Sequence, residues 1–356
     1  MNSLSPKTLL VTLFITIYTI SHAQTDSAGV NLNLLGQSFF DNKEFTGNIK
    51  KGYTHPGFYI QPTVKIEAEQ YSIAAGFHAL YLASADTLER LVPVLSAKLR
   101  LSRSITLVAG TLESQSGHGL PEPLFKSERL FLSQPETGLQ FLYHGNKSKG
   151  DLWINWERYI KIGSPFQEEF TLGFTHLYDC WEITTGFSNA FHAMAFHHGG
   201  QIDSTNLPVQ THVNIGLLPA FSFKPSGNTR LALATSLYYY KNLSPSFTSE
   251  YNPGFGLHPQ VKVYRNCTTF EVGFWYSNGF VNPRGEELFG SVSTINPIYN
   301  QSVRRLGTFT LEYQKRFMSS MLLNANFKAY YDFKSNLLEY SYTLRLIFDG
   351  KLVRLK

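Results

Sequence analysis

Charge, cysteine and long apolar runs are all scarce in this chain. Charged residues make up 16% of its 356 positions, against about 25% in soluble proteins. With aromatics at 15%, so weakly charged a chain is not a disordered one. Its two cysteines cannot make a disulfide framework. A single apolar stretch, Leu9 to Ile20, excludes a polytopic helical membrane protein. Lys and Arg exceed Asp and Glu by 31 to 26, a margin too thin and scattered for a nucleic-acid partner.

The apolar stretch is informative about destination. Lys7 precedes it, and Ser21-His22-Ala23 ends it with small residues where signal peptidase reads. Residues 1–23 are therefore expected to be a signal peptide, with cleavage before Gln24 and a short periplasmic lead over 24–29. The run is shorter than the ~20 residues of a spanning helix. An exported chain with no later apolar helix is either soluble outside the inner membrane or folded as a barrel in the outer one. Only helices and closed barrels satisfy every backbone group in lipid.

What the chain has in abundance is alternation. Leu323, Ala325, Phe327, Ala329 and Tyr331 share one face opposite Asn324, Asn326, Lys328 and Asp332. Near the end, Tyr340, Tyr342, Leu344, Leu346 and Phe348 oppose Ser341, Thr343 and Arg345. Period two with one apolar and one polar face suits a strand between lipid and water. About sixteen such segments are read from residue 30 to 348, within a range of fourteen to eighteen, followed by a tail over 349–356. Two places strain the count. Asp86 to Glu89 resembles a helix cap, although Pro93 argues for a strand, and 190–199 has the look of a short helix closed by Gly199. The connections sort by parity: tight at 69–70, 102–104 and 178–180, long at 41–56, 114–135, 193–208 and 277–303. That is the asymmetry of periplasmic turns and outer loops. The fold class is an all-β transmembrane antiparallel barrel.

In signal, alternation, loop asymmetry and aromatic last strand, the chain resembles Gram-negative outer-membrane barrels of general porin type. The resemblance implies an outer-membrane location, contact with its lipid and with the barrel-assembly machinery, and a homo-trimer or an envelope partner. It also implies that the third outer loop, 114–135, folds inward as a constriction carrying His118, Glu122, Lys126, Glu128 and Arg129. Pro121-Glu122 is similar to the acidic segment found there in porins. By alternation Lys65, Lys98, Arg100, Lys262, Arg316, Lys328 and Arg345 face the bore with Glu271 and Glu312, as a pore lining. The tryptophans fall near strand ends, where interface rings belong, although parity also turns Trp153 and Trp275 inward.

The expected function is passive diffusion of small hydrophilic solutes. Two alternatives stay open: a non-conducting barrel serving as scaffold, with Pro283-Arg284-Gly285 as a partner contact, and a barrel enzyme acting on lipid or polysaccharide. Catalysis is not the expected role, because Ser116 and His118 sit in a loop with no third member. No cofactor is implied, and His197-His198 lacks the company of a metal site. Cys180 and Cys267, four strands apart in short turns, are expected to be free thiols.

Overall fold

The computed structural model describes residues 28–244, 251–296 and 298–355. The expected leader, 1–23, lies outside them. Sixteen antiparallel strands close into one barrel, each paired with its neighbours in sequence and the last with the first. They are β1 (Gly29–Glu44), β2 (Tyr53–Glu67), β3 (Tyr71–Leu82), β4 (Arg90–Arg100), β5 (Ile105–Thr111), β6 (Thr137–His144), β7 (Ser148–Arg158) and β8 (Glu169–Trp181), then β9 (Thr185–His198), β10 (Gln210–Ser226), β11 (Thr229–Asn242), β12 (Gly254–Arg265), β13 (Thr268–Asn278), β14 (Val303–Met318), β15 (Met321–Asp332) and β16 (Leu337–Leu355).

Period-two patterning sets the two faces of the wall. In β4, Leu91, Leu95 and Leu99 are exposed around the barrel while Val94 and Ser96 between them are buried toward the bore. In β1, Phe40 points out, and Gln37, Phe39, Asp41 and Lys43 are buried. A one-residue slip would put Asp41 and Lys43 in lipid, so the register is strongly specified.

Residues 86–89 form a loop and β4 begins at Arg90, the strand that Pro93 favoured. The sequence reading needs three amendments. The expected loop at 193–208 starts later, because β9 continues to His198 with Phe191, Ala193 and Ala195 alternating in step with β10, and no helix forms at 190–199. The expected turn at 178–180 belongs to β8, whose pairing with β9 continues to Trp181 and Gly186. The expected tail is strand as well: β16 continues to Leu355, paired with β1 back to Val30. Both cysteines are free.

The long connections are at one end. Two of them, 112–136 and 279–302, turn inward and meet inside the bore. Within them, the Lys126 amide donates to the Arg284 carbonyl at 3.0 Å and the Glu286 amide to the Glu122 carbonyl at 2.9 Å. Gly285 makes the crossing possible, since a Cβ there would lie 2.1 Å from the Pro123 carbonyl oxygen. Around the crossing lies the main apolar cluster, including Leu124, Tyr238, Trp275, Phe280, Leu288 and Tyr330.

Candidate functional site

The plug is tied to the wall on nearly every side. Glu122 accepts from Lys328 Nζ at 2.9 Å and from the Tyr330 hydroxyl at 2.5 Å, both on β15. Phe131 stacks on Phe39 of β1 with centroids 4.3 Å apart. Arg129 Nη2 reaches Glu157 Oε1 at 3.1 Å, and Arg284 Nη2 reaches Glu157 Oε2 at 2.9 Å and Glu169 Oε2 at 3.0 Å. Arg284 therefore binds its own barrel, whereas the sequence suggested a partner contact.

Between the loops and the first hairpin lies a buried ion network. Lys43 Nζ lies 2.5 Å from Glu286 and 3.0 Å from Glu128; Lys50 lies 3.1 Å from Glu286 and 2.6 Å from Glu287. Lys126 completes it at 3.0 Å from Glu287. Burial alone would raise the Glu286 carboxyl, but the two ammonium groups hold it far below its ordinary range. Burial raises that of Glu128, which takes a smaller share of the positive charge.

His118 is the most constrained member of the plug. Its backbone is left-handed, with φ of 56°, an arrangement costing about 1–2 kcal/mol for a residue with a Cβ. Its ring stacks on Trp153 at 3.8 Å and 2°. Trp153 in turn lies flat over Gly173, where a Cβ would come within 2.1 Å of the indole. Nδ1 is 2.8 Å from Asp151 and Nε2 is 2.8 Å from Glu136. Burial works against the charge, but the two carboxylates outweigh it and raise the pKa to about 9. His118 is thus an imidazolium donating from both nitrogens. It has no free lone pair with which to take a proton.

The residues expected to line a pore stand mostly as half of a pair. Lys65 meets Glu67 at 2.8 Å, Lys262 meets Glu271 at 2.7 Å, and Lys98 pairs with Glu113. Glu312 accepts from Asn324 at 2.6 Å, Arg316 donates to the Ser319 carbonyl at 2.7 Å and Arg345 to Gln37 at 2.9 Å. Arg100 lines a hollow at the short-turn end. Trp153 and Trp275 are buried in the plugged half, whereas Trp156 is exposed on the outer wall.

Polar groups on the outer wall were missed altogether. Asn42 has the parity of Phe40, so it belongs to the lipid-facing side, near the long-loop rim. It is buried under its neighbours and fully engaged: the Thr54 hydroxyl donates to Oδ1 at 2.5 Å and Nδ2 donates to Glu44 Oε1 at 2.9 Å. Glu44 and Thr54 are exposed. Beside them Phe40 stacks on Tyr342 at 6.0 Å. A carboxylate on a lipid-facing wall is costly and signals function. Across the barrel, His197 Nδ1 lies 2.9 Å from the Thr211 hydroxyl, in a row with Phe170 and Trp156. Among the described residues no acidic side chain orients that imidazole, as a His-activated nucleophile requires. Among the described residues no cluster of three or more His, Cys, Asp or Glu is placed to hold a metal.

A family model described as lipid A 3'-O-deacylase-type matches residues 22–356. The chain belongs to that family. Membership overturns both the diffusion-channel reading and the expectation of a non-enzyme, because the family is one of hydrolases acting on lipid A. Two solved structures share the barrel. Pseudomonas aeruginosa OprD is 10% identical with a TM-score of 0.51, over 91% of this chain and 96% of OprD. Pseudomonas aeruginosa OpdL is 12% identical with a TM-score of 0.52, over 91% and 99%. At such identities the likeness is one of fold. No curated protein matches the sequence. This deacylase-family member is an outer-membrane barrel of a Gram-negative bacterium, in contact with membrane lipid.

Proposed function

We propose that the protein hydrolyses an acyl ester of lipid A from the lipid-facing wall, at the rim formed by β1 and β2. Family membership supports the reaction class. The observation that carries the location is the Asn42–Glu44–Thr54 cluster, polar groups on the outward-facing parity of β1 and β2 at their long-loop end. With 112–136 and 279–302 occupying the bore, an amphiphile in the outer leaflet meets the barrel from outside.

The chemistry follows from the arrangement. Glu44 takes a proton from water as the water oxygen attacks the acyl carbonyl carbon. The bond from that carbon to the sugar oxygen then breaks, and the proton passes from Glu44 to the departing alkoxide. A free fatty acid and a lipid A hydroxyl result. Thr54 fixes the Asn42 amide, and Asn42 Nδ2 aims the carboxylate, making both positioning residues. Phe40 and Tyr342 supply the apolar flank along which an acyl chain lies.

Expression in a Gram-negative host, with mass spectrometry of its lipid A, tests the reading. Loss of one ester-linked acyl chain is expected. Glu44→Gln should slow that loss by about 10²–10⁴-fold, the range for removing a general base. Unchanged lipid A in cells that carry the folded barrel would overturn the assignment. Full activity in Glu44→Gln with none in His197→Ala would move the site to the opposite wall.

A further inference from the structure

Two neighbouring arginines near the start of β14 have opposite surroundings. Arg304 is fully buried on the bore side, with Nη1 2.7 Å from Asp332 Oδ2 and Nη2 donating to the Leu288 carbonyl at 2.8 Å. Arg305 has the outward parity and is exposed, between the buried Arg304 and Leu306. Among the described residues its guanidinium has no ion pair and no hydrogen bond. β14 begins at Val303, so this charge stands at the long-loop rim, where a cation on the lipid side costs little.

Aromatic rings lie on the midplane side of that charge. Gly307, next on the same face, carries no side chain, and the Phe333 ring covers it 3.6 Å from where a Cβ would stand. Phe333 packs against Phe274 at 5.8 Å and Tyr331 at 5.0 Å, and all three are exposed on the outer wall. The Phe333 amide donates to the Arg305 carbonyl at 3.1 Å, which fixes the rings beneath the arginine. Lys334 follows in the turn before β16, exposed and likewise without an ion pair among the described residues.

Cations at the rim with rings below them complement an amphiphile with an anionic head and an acyl tail. A guanidinium takes two oxygens of a phosphate at once. A phosphomonoester carries about −1.5 to −2 charges at neutral pH, which two cations match better than they match a singly charged diester. We infer that Arg305 and Lys334 hold a phosphate of lipid A on the outer wall, with an acyl chain of the same molecule over Phe333, Phe274 and Tyr331. The site lies three strands from β1, about 14 Å around the wall, and its occupation needs no hydrolysis. It therefore does not rest on the assignment of Glu44.

Native mass spectrometry of the full barrel in detergent, titrated with bisphosphorylated lipid A, phosphate-free lipid A or phosphatidylglycerol, tests the inference. Bisphosphorylated lipid A should bind about tenfold tighter than either of the others, and excess inorganic phosphate should not displace it. Arg305→Gln should weaken bisphosphorylated lipid A about tenfold and leave the phosphate-free form unchanged, with Arg305→Lys in between. Phe333→Ala should weaken both forms of lipid A alike, while heat-dependent gel mobility shows an intact barrel. Affinity within twofold of wild type in Arg305→Gln, or an equal loss for phosphate-free lipid A, would overturn the site. Equal retention of phosphatidylglycerol, or displacement by inorganic phosphate, would overturn the choice of lipid A as its occupant.

Discussion

At the long-loop end of the bore, Trp275, Phe280 and Leu288 are fully buried in the apolar cluster, while toward the short turns β1–β5 and β14–β16 line hollows of about 380 and 470 Å³. Alternation is equally regular in both halves. The difference comes from what the loops bring in. Where 112–136 and 279–302 enter, charges lose water and must find one another, so Lys43 and Lys50 converge on Glu286. Where the loops leave space, charges stay hydrated and their pairs matter little. On the outer wall the Asn42–Glu44–Thr54 cluster follows Phe40 on the same face of β1, polar groups beside apolar ones.

The comparison breaks most readily at Glu286. Glu286→Ala leaves two buried ammonium groups without their main partner and should cost about 3–5 kcal/mol, read from denaturant midpoints in detergent. Hydrogen exchange should show the loss concentrated in 279–302. If the whole barrel loosened equally, plug and wall would not be separate units. His118→Ala removes two charge-assisted hydrogen bonds and should cost about 1.5–3 kcal/mol.

The same histidine sharpens the comparison through pH. Its pKa is raised from 6.5 to about 9, so its contribution is complete below pH 6.5 and is lost as pH rises through 9. Protection factors in 112–136, corrected for the intrinsic exchange rate, should fall over that window in the wild type and stay level in His118→Ala. Gly285→Val forces apart the crossing at Pro123 and should cost about 1–3 kcal/mol, with proteolysis of both loops as the readout. In the wet half, Lys98→Ala breaks a partly exposed pair and should change stability by less than about 1 kcal/mol. A larger loss there would mean that the lower bore is drier than its hollows indicate.

The wall was legible because period two writes the lipid-facing and bore-facing sides directly into the order of residues. Lys65, Lys98, Lys262 and Arg345 were placed in the bore on that basis, and sixteen strands follow from the same reading. The plug was half legible. Glu122 and His118 stand out in a long loop with Pro and Gly, but Lys43, Lys50 and Glu286 do not, since parity assigns a face and not a partner. The outer cluster was missed because its members are ordinary at their positions. Asn42 and Glu44 close a strand where polar residues are common, and Thr54 opens the next.

The sequence by itself determined the barrel and the side of the wall on which each residue stands, and narrowed the strand count to between fourteen and eighteen, since these depend on spacing along the chain. Only the tertiary structure decided that loop 112–136 meets loop 279–302 inside the bore, that His118 is held charged between Asp151 and Glu136, and that Asn42 joins Glu44 to Thr54 at the lipid face. Those outcomes depend on distances of about 3 Å between groups far apart in sequence, where burial and charge act and chain order carries no signal.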